Sequence, residues 1–499
     1  MIIMKMDWIL FAAAFAVAVS SGLEAHPEHG YHEQPPWQEA TPWPDRLVAT
    51  LSGDPTSQFS VSWRTDASVG VAIAQIAEAI PEARFDLEAR TVRAVTQELV
   101  LDHVKGPKGK VLVLENQGLR SVHYHSVDFE NLEPDTLYAY RVRGRKGMWS
   151  PWRQLRTAPL EAPFQFIFFG DAQTGIRSHV TRTFDMASVV ASEARFAIHG
   201  GDLVNTAMYD KEWAEWFDAL GRSHALIPSI PVAGNHDYIN FDKDKDRSGD
   251  GKLFATPNKR VTPIWRSQFR LPIEKGLPDG LWETVYDVQY GEDLHIFVLD
   301  SSGIAWREQL DWLEAKLKKS DAKWKILTMH HPLFSFIGGN EHPSHKARRI
   351  PLLETLKLKQ LDLVLTGHRH SYQRGVYGDD VARFSVGEPH AIDTVFLITA
   401  TSTKRGETKV EGWERYSGEQ DGDFKLNRYA DNIPLFAVFD LDESVLQYRA
   451  FDATGEVYDA FMLRKDEAGR KTIENDDVVM EPVKNYRNTK PYRKWDDLR

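Results

Sequence analysis

Five polar clusters in the chain each follow an apolar run: Gly170-Asp171-Ala172-Gln173, Gly201-Asp202-Leu203-Val204-Asn205, Gly234-Asn235-His236-Asp237, His330-His331-Pro332 and Gly367-His368-Arg369-His370. Their donors are carboxylate, imidazole and amide. The chain has no cysteine, which removes disulfides, thiolate metal sites and thiol nucleophiles together. Any metal must therefore sit on nitrogen and oxygen, a donor chemistry suited to divalent ions such as Mn, Fe or Zn. Asp171, Asp202, Asn235, His330, His368 and His370 supply enough donors for two ions, with one carboxylate shared. Two cations about 3.5–4 Å apart bind two oxygens of one phosphoryl group, hold a hydroxide at neutral pH and offset charge on a leaving oxygen. Hydrolysis of a phosphate ester is the reaction that uses all three.

A Gly-Asp after a strand is by itself a turn or a helix cap, so the reading rests on the ordered set and on what positions it. Apolar runs predict strands at 165–169, 196–199, 229–233, 294–299, 324–329 and 361–366, with helices between several of them, which argues for α/β architecture. One helix is predicted over 306–320, where Trp306, Leu310, Leu313 and Leu317 make one apolar stripe. In open α/β sheets the loops leaving the carboxyl ends of strands gather at one edge. Residues as distant in sequence as Asp171 and His370 then become neighbours.

Ahead of these elements, residues 46–159 change to short alternating runs at 47–51, 59–63, 111–114, 124–129 and 138–142. Such period-2 runs between turn residues predict half-buried strands of a sandwich. Residues 26–44 are rich in His, Pro and Trp and lack any period, as in a linker. At the other end, 435–441, 445–451 and 457–463 predict further strands, and 466–499 is charged and Pro-interrupted, as in an extended tail. The start of the chain carries Lys5, an apolar run over 8–19 and small residues up to Ala25, the pattern of a secretory signal cleaved after Ala25. That run is too short for the ~20 residues of a spanning helix, and no later stretch is apolar enough to span.

Length and composition bound the rest. The 499 residues are 42% hydrophobic and 27% charged, with 15 Trp and 25 Phe, so the chain is a packed globular protein of more than one domain. A formal net charge of −11 leaves no broad basic surface for a nucleic-acid scaffold. A small phosphate ester is still admissible, because bound cations invert the local field.

The ordered clusters, with the segments WETVYDVQYG, LHIFVLDSS, QLDWLEAKL and GHRHSYQR, resemble the calcineurin-like metallophosphoesterase superfamily and within it the purple acid phosphatases. The segment LEPDTLYAYRVRG, followed by WSPWRQLRTAP, resembles the last strands of a fibronectin type III-like domain, which purple acid phosphatases place ahead of the catalytic domain. The resemblance covers roughly 45–465. It implies an N-terminal all-β, fibronectin III-like sandwich over 45–160, followed by an α/β metallophosphoesterase domain over 161–465 with a β-sandwich core flanked by helices. It also implies a metal A on Asp171, Asp202 and His370, a metal B on Asp202, Asn235, His330 and His368, and a role for His236 in orienting substrate or protonating the leaving group. His331, His342 and His345 lie where related enzymes keep histidines that touch the phosphate or act as acid. Arg348 and Arg349 offer a phosphate clamp or, as ordinary surface or helix-capping groups, none.

Two positions depart from the family pattern. Asn205 stands where the purple enzymes carry a metal-binding tyrosine, and Gln173 stands where other branches carry a histidine. Metal A thus lacks the strong further ligand of both versions, with Asn205 and Gln173 as neutral candidates in its place, which implies a divalent ion, looser binding or extra water there in a colourless relative of the purple enzymes. A separate stretch, Asp244 to Asp250, spaces oxygen donors as a calcium loop does, but Ala255 replaces the closing glutamate. The expected function is secreted or periplasmic hydrolysis of small phosphate monoesters. A phosphodiester or nucleotide substrate at the same site, and a binding protein that keeps the fold without turnover, are the alternatives.

Overall fold

The computed structural model describes residues 39–475 apart from 107–108, 115, 117–120, 242–258, 336–342, 356–359, 380, 382–388, 405, 407–414 and 418–422. The segment 1–25 expected to be a secretory signal, most of the linker, the Asp244–Asp250 loop, His342 and the tail beyond 475 lie outside the described residues. Two β layers form the core of the α/β half. The first contains Phe164–Phe169, Ala194–His199 and Ser229–Pro231, all parallel, with Leu435–Leu441, Val445–Asp452 and Val457–Lys465 continuing it antiparallel. In the second, Leu294–Val298, Trp324–Thr328, Leu363–Thr366 and Thr394–Ile398 run parallel, flanked by the antiparallel strands Tyr286–Tyr290 and Ser371–Gly378.

Alternation along the strands explains the layering, because successive side chains point to opposite faces. Ile296, Val298, Ile326, Leu363, Leu365, Val395 and Leu397 share one core with Phe166, Phe168 and Ile198 of the first sheet. The intervening Phe297, Leu327, Val364 and Phe396 pack with Leu310, Leu313 and Leu317, the stripe of helix Trp306–Lys319. The first sheet alternates likewise. Phe164 meets Tyr290 of the second sheet at 5.0 Å between rings, and Phe169, on the other face, meets Phe184 of helix Thr181–Val190 at 4.7 Å. Both layers are β with helices outside, as expected.

The N-terminal half is a β-sandwich, but its sheets are not all its own. Asp45–Thr50 pairs parallel with Ser229–Pro231 through Thr50 and Ser229, so one 12-stranded sheet runs through both halves. A buried ion network seals the seam: Arg46 grips both oxygens of Asp210 at 2.7 and 2.8 Å, and Arg64 reaches Asp210 at 3.4 Å and Asp45 at 2.7 Å. Asp210 begins helix Asp210–Leu220 of the α/β half. Charges buried this deeply persist only when paired, which ties the two halves together.

The stretch from 466 is structured further than its composition suggests. Lys471–Asn475 is a strand on Val457–Lys465 and His390–Ile392. Ile473 is fully buried there and Lys471 donates to the carbonyls of Leu361 and Asp393. Period was absent because the strand is too short to display one. Among the described residues no helix is long and apolar enough to cross a membrane.

Candidate metal centre

The carboxyl ends of the parallel strands in the two sheets meet at one rim. Asp171 bridges to Ala400 across the sheets, and a Cβ on Gly170 would lie 1.8 Å from the carbonyl oxygen of Thr399, so only glycine permits that approach. From this rim the predicted donors turn inward. The backbone at Asp202, His368 and His370 has positive φ, 49°, 72° and 50°. Non-glycine residues hold that conformation only where the surroundings over-determine it.

Asp202, His330 and His368 place one donor atom each within 4.8 Å of one another, and so do Asp171, Asp202 and His370, with Asp202 common to both groups. Asp202 Oδ2 lies 3.1 Å from His330 Nε2, and Asp171 Oδ2 lies 3.0 Å from His370 Nε2. The outer atoms are held as well. His330 Nδ1 donates to the Gly200 carbonyl at 2.9 Å, Asp202 Oδ1 accepts the His236 N–H at 2.7 Å, and Asp171 Oδ1 accepts the His368 N–H at 2.6 Å. Such outer hydrogen bonds orient metal ligands and set the ring tautomer. A Cβ on Gly234 would stand 2.2 Å from Asp202 Oδ1, which explains why glycine opens the third cluster.

Two observations test whether a cation fits. The side-chain oxygen of Asn235 is buried without a hydrogen-bond partner, and His330 Nε2 is buried 3.1 Å from the Asp202 carboxylate, an arrangement that an ion would satisfy. The pocket also draws positive charge. Burial disfavours a charged His330 ring, yet the charge of Asp202, its hydrogen bond and Asp171 outweigh burial and push the ring up to about 9. Burial likewise works against the Asp202 carboxylate, but His330 and His236 hold it well below the usual range. The donor set around Asn235, His330 and His368 therefore fits a cation directly.

The other set fits with a difference. Gln173, fully buried, points Nε2 into the middle of its group: 2.8 Å from Asp202 Oδ2, 3.0 Å from His370 Nε2 and 3.5 Å from Asp171 Oδ2. An N–H donor cannot ligate a cation. Turning the carboxamide, whose last torsion is soft, presents Oε1 instead. That oxygen now accepts from Lys404 Nζ at 3.1 Å.

The remaining predicted residues divide. His236 is at the centre, its Nδ1 donating to the Asn205 carbonyl at 2.6 Å. Asn205 contributes that carbonyl and is itself pinned by its N–H on Glu212 Oε2 at 2.8 Å. His331 packs against His368 with ring centroids 4.2 Å apart, and its Nδ1 and N–H both engage the Ser301 hydroxyl at 2.9 Å. Burial, then the nearby Arg348, holds that ring well below its ordinary pKa, hence neutral. His345 lies on helix Pro343–Thr355 with its side chain outside the described residues. Arg348 donates to the Ser301 carbonyl at 2.9 Å, behind His331, whereas Arg349 lies over the Phe334 ring and donates to the Leu333 carbonyl, a packing role.

Sequence reasoning passed over Lys404, Ser301 and Glu212. A signal existed for the first: Thr394–Ile398 is an apolar run followed by Thr399-Ala400-Thr401-Ser402, a further strand end at the same rim.

Residues 164–372 match the family model of the calcineurin-like phosphoesterases, and residues 44–157 match that of the purple acid phosphatase N-terminal domain. An uncharacterized protein of Mycobacterium tuberculosis is 26% identical over 307 residues, covering 53% of this chain and 54% of that one. Probable purple acid phosphatase 20 of Arabidopsis thaliana is 28% identical over 261 residues, covering 51% and 56%. The solved structure of purple acid phosphatase PPD1 from yellow lupin (Lupinus luteus) seeds shares the fold with a TM-score of 0.65 at 16% identity, covering 86% of this chain and 75% of that one. The chain spans about half the length of the curated relatives it matches. The chain thus carries, in order, a purple acid phosphatase N-terminal domain over 44–157 and a calcineurin-like phosphoesterase domain over 164–372.

Proposed function

We propose that this chain is an exported, metal-dependent phosphoesterase that hydrolyses small phosphate monoesters in the manner of an acid phosphatase. The observation that carries the reading is the convergence of two donor groups on one buried carboxylate, Asp202. In this reading Asp202, Asn235, His330 and His368 hold one ion, and Asp171, Asp202 and His370 hold the other with Asn205 or Gln173. Two ions drawn from Fe, Mn or Zn supply, when bound, Lewis acidity at a phosphoryl oxygen and a nucleophile from water near neutral pH.

The chain's own side chains orient and move protons. His236 is held at Nδ1 by the Asn205 carbonyl, so Nε2 is the ring atom that exchanges a proton with the leaving oxygen. In the same reading His331, fixed by Ser301, touches the phosphate or acts as acid, a role the resemblance also gives to His342 and His345. Neither Gln173 nor Asn205 offers a phenolate, so the loaded protein is colourless. Export rests on the sequence of residues 1–25 and calcium on the spacing of Asp244–Asp250.

The test is hydrolysis of p-nitrophenyl phosphate with Mn, Fe or Zn supplied. Activity is expected to vanish with EDTA and in Asp202→Ala. Turnover that survives both removes the reading, and bis-p-nitrophenyl phosphate and ATP in the same panel measure ester preference.

A further inference from the structure

Lys404 stands at the rim between the donor groups with no motif to announce it. Its ammonium lies 3.1 Å from Gln173 Oε1. Gln173 in turn spans to Asp202 and His370 through Nε2. Among the described residues no carboxylate lies within ion-pair distance of Lys404, so its charge is not neutralised locally.

Its position is set by backbone, not by chance of a long side chain. The N–H groups of Thr401 and Ser402 donate to the Asp171 carbonyl at 3.1 and 2.8 Å, the Gly406 N–H donates to the His370 carbonyl at 2.8 Å, and the Lys404 N–H donates to the Ser402 hydroxyl at 3.3 Å. The loop that carries Lys404 is thus clamped at both ends to residues that carry donors of one group.

We propose that Lys404 binds the substrate phosphate and the phosphate product, contacting a non-bridging oxygen from the rim beside Gln173. The electrostatic reasoning rests on the two-cation reading above. Two divalent cations outweigh the two carboxylates Asp171 and Asp202, which leaves a surplus of positive charge that repels the ammonium from the donors. An anion placed over the centre then becomes its natural partner, and a charge-assisted hydrogen bond to phosphate is stronger than the one to an amide oxygen. Lys404 here makes a point-charge contact and leaves the ester group unspecified.

The experiment uses the full chain loaded with Mn, Fe or Zn and compares it with Lys404→Met and Lys404→Arg. Calorimetry measures the affinity for inorganic phosphate, elemental analysis measures metal content, and kinetics with p-nitrophenyl phosphate separate KM from kcat. Lys404→Met is expected to weaken phosphate binding and raise KM about tenfold, the order of one charge-assisted contact, with kcat and metal content little changed. Lys404→Arg is expected to keep most of the affinity.

Phosphate affinity unchanged in Lys404→Met overturns the proposal. So does metal lost in that variant, which would make Lys404 a support of the metal group, or an Arg variant as weak as Met. No phosphate binding by the loaded wild type overturns it too. If no ester is turned over but phosphate binds and weakens about tenfold in Lys404→Met, the contact stands while the hydrolytic reading falls.

Discussion

The two donor groups share Asp202 and differ in almost everything else. Around Asn235, His330 and His368, the His330 ring and the Asp202 carboxylate are held from behind by backbone groups, and the Asn235 side-chain oxygen is buried without a partner. Around Asp171 and His370, a buried amide N–H reaches three of the ligating atoms and links them to a lysine. The first group is organised for a cation before one arrives. The second must turn Gln173 to accept one, so reorganisation opposes binding there. Preorganisation, more than the number of donors, separates a tight site from a loose one.

That contrast is sharpened first by removing what the groups have in common. Asp202→Ala is expected to lose both ions and lower kcat/KM by at least about a thousandfold, ~4 kcal/mol of transition-state stabilisation. Elemental analysis after dialysis and steady-state kinetics measure the two effects. Next come the separate groups. His330→Ala is expected to cost about a hundredfold in activity and to release the ion that resists dialysis, whereas His370→Ala costs about tenfold and leaves that ion in place. Equal losses, or the reverse order, break the contrast.

Chelator titration of the wild type gives the same information without mutation. Two ions should leave in distinct steps, and a single step would show the groups to be equivalent. The smallest effect expected is a gain. Gln173→His replaces an amide with a stronger imidazole donor and should tighten the weaker ion by about tenfold, read as a shift of the second step alone.

The seam between the halves shows the same principle in a different setting. A β-sandwich was legible from period-2 runs, because half-buried strands must alternate. That its strand Asp45–Thr50 would pair with Ser229–Pro231, and that Arg46 would meet Asp210, was not legible. Such contacts join residues more than 160 positions apart, and no local pattern encodes the partner. Lys471–Asn475 escaped for the opposite reason, being a strand short enough to read as tail.

What the sequence determined by itself was chemistry and order: oxygen and nitrogen donors without thiolate, set in five clusters after apolar runs that had to be strands. Parallel pairing then required those clusters to share a rim. The tertiary structure alone decided how each side chain faces that rim. It turned the N–H of Gln173 inward, seated His331 on Ser301 and brought Lys404 from a loop without any motif. The physical reason is that donor type belongs to the residue, whereas direction, burial and neighbouring charge belong to the packing around it.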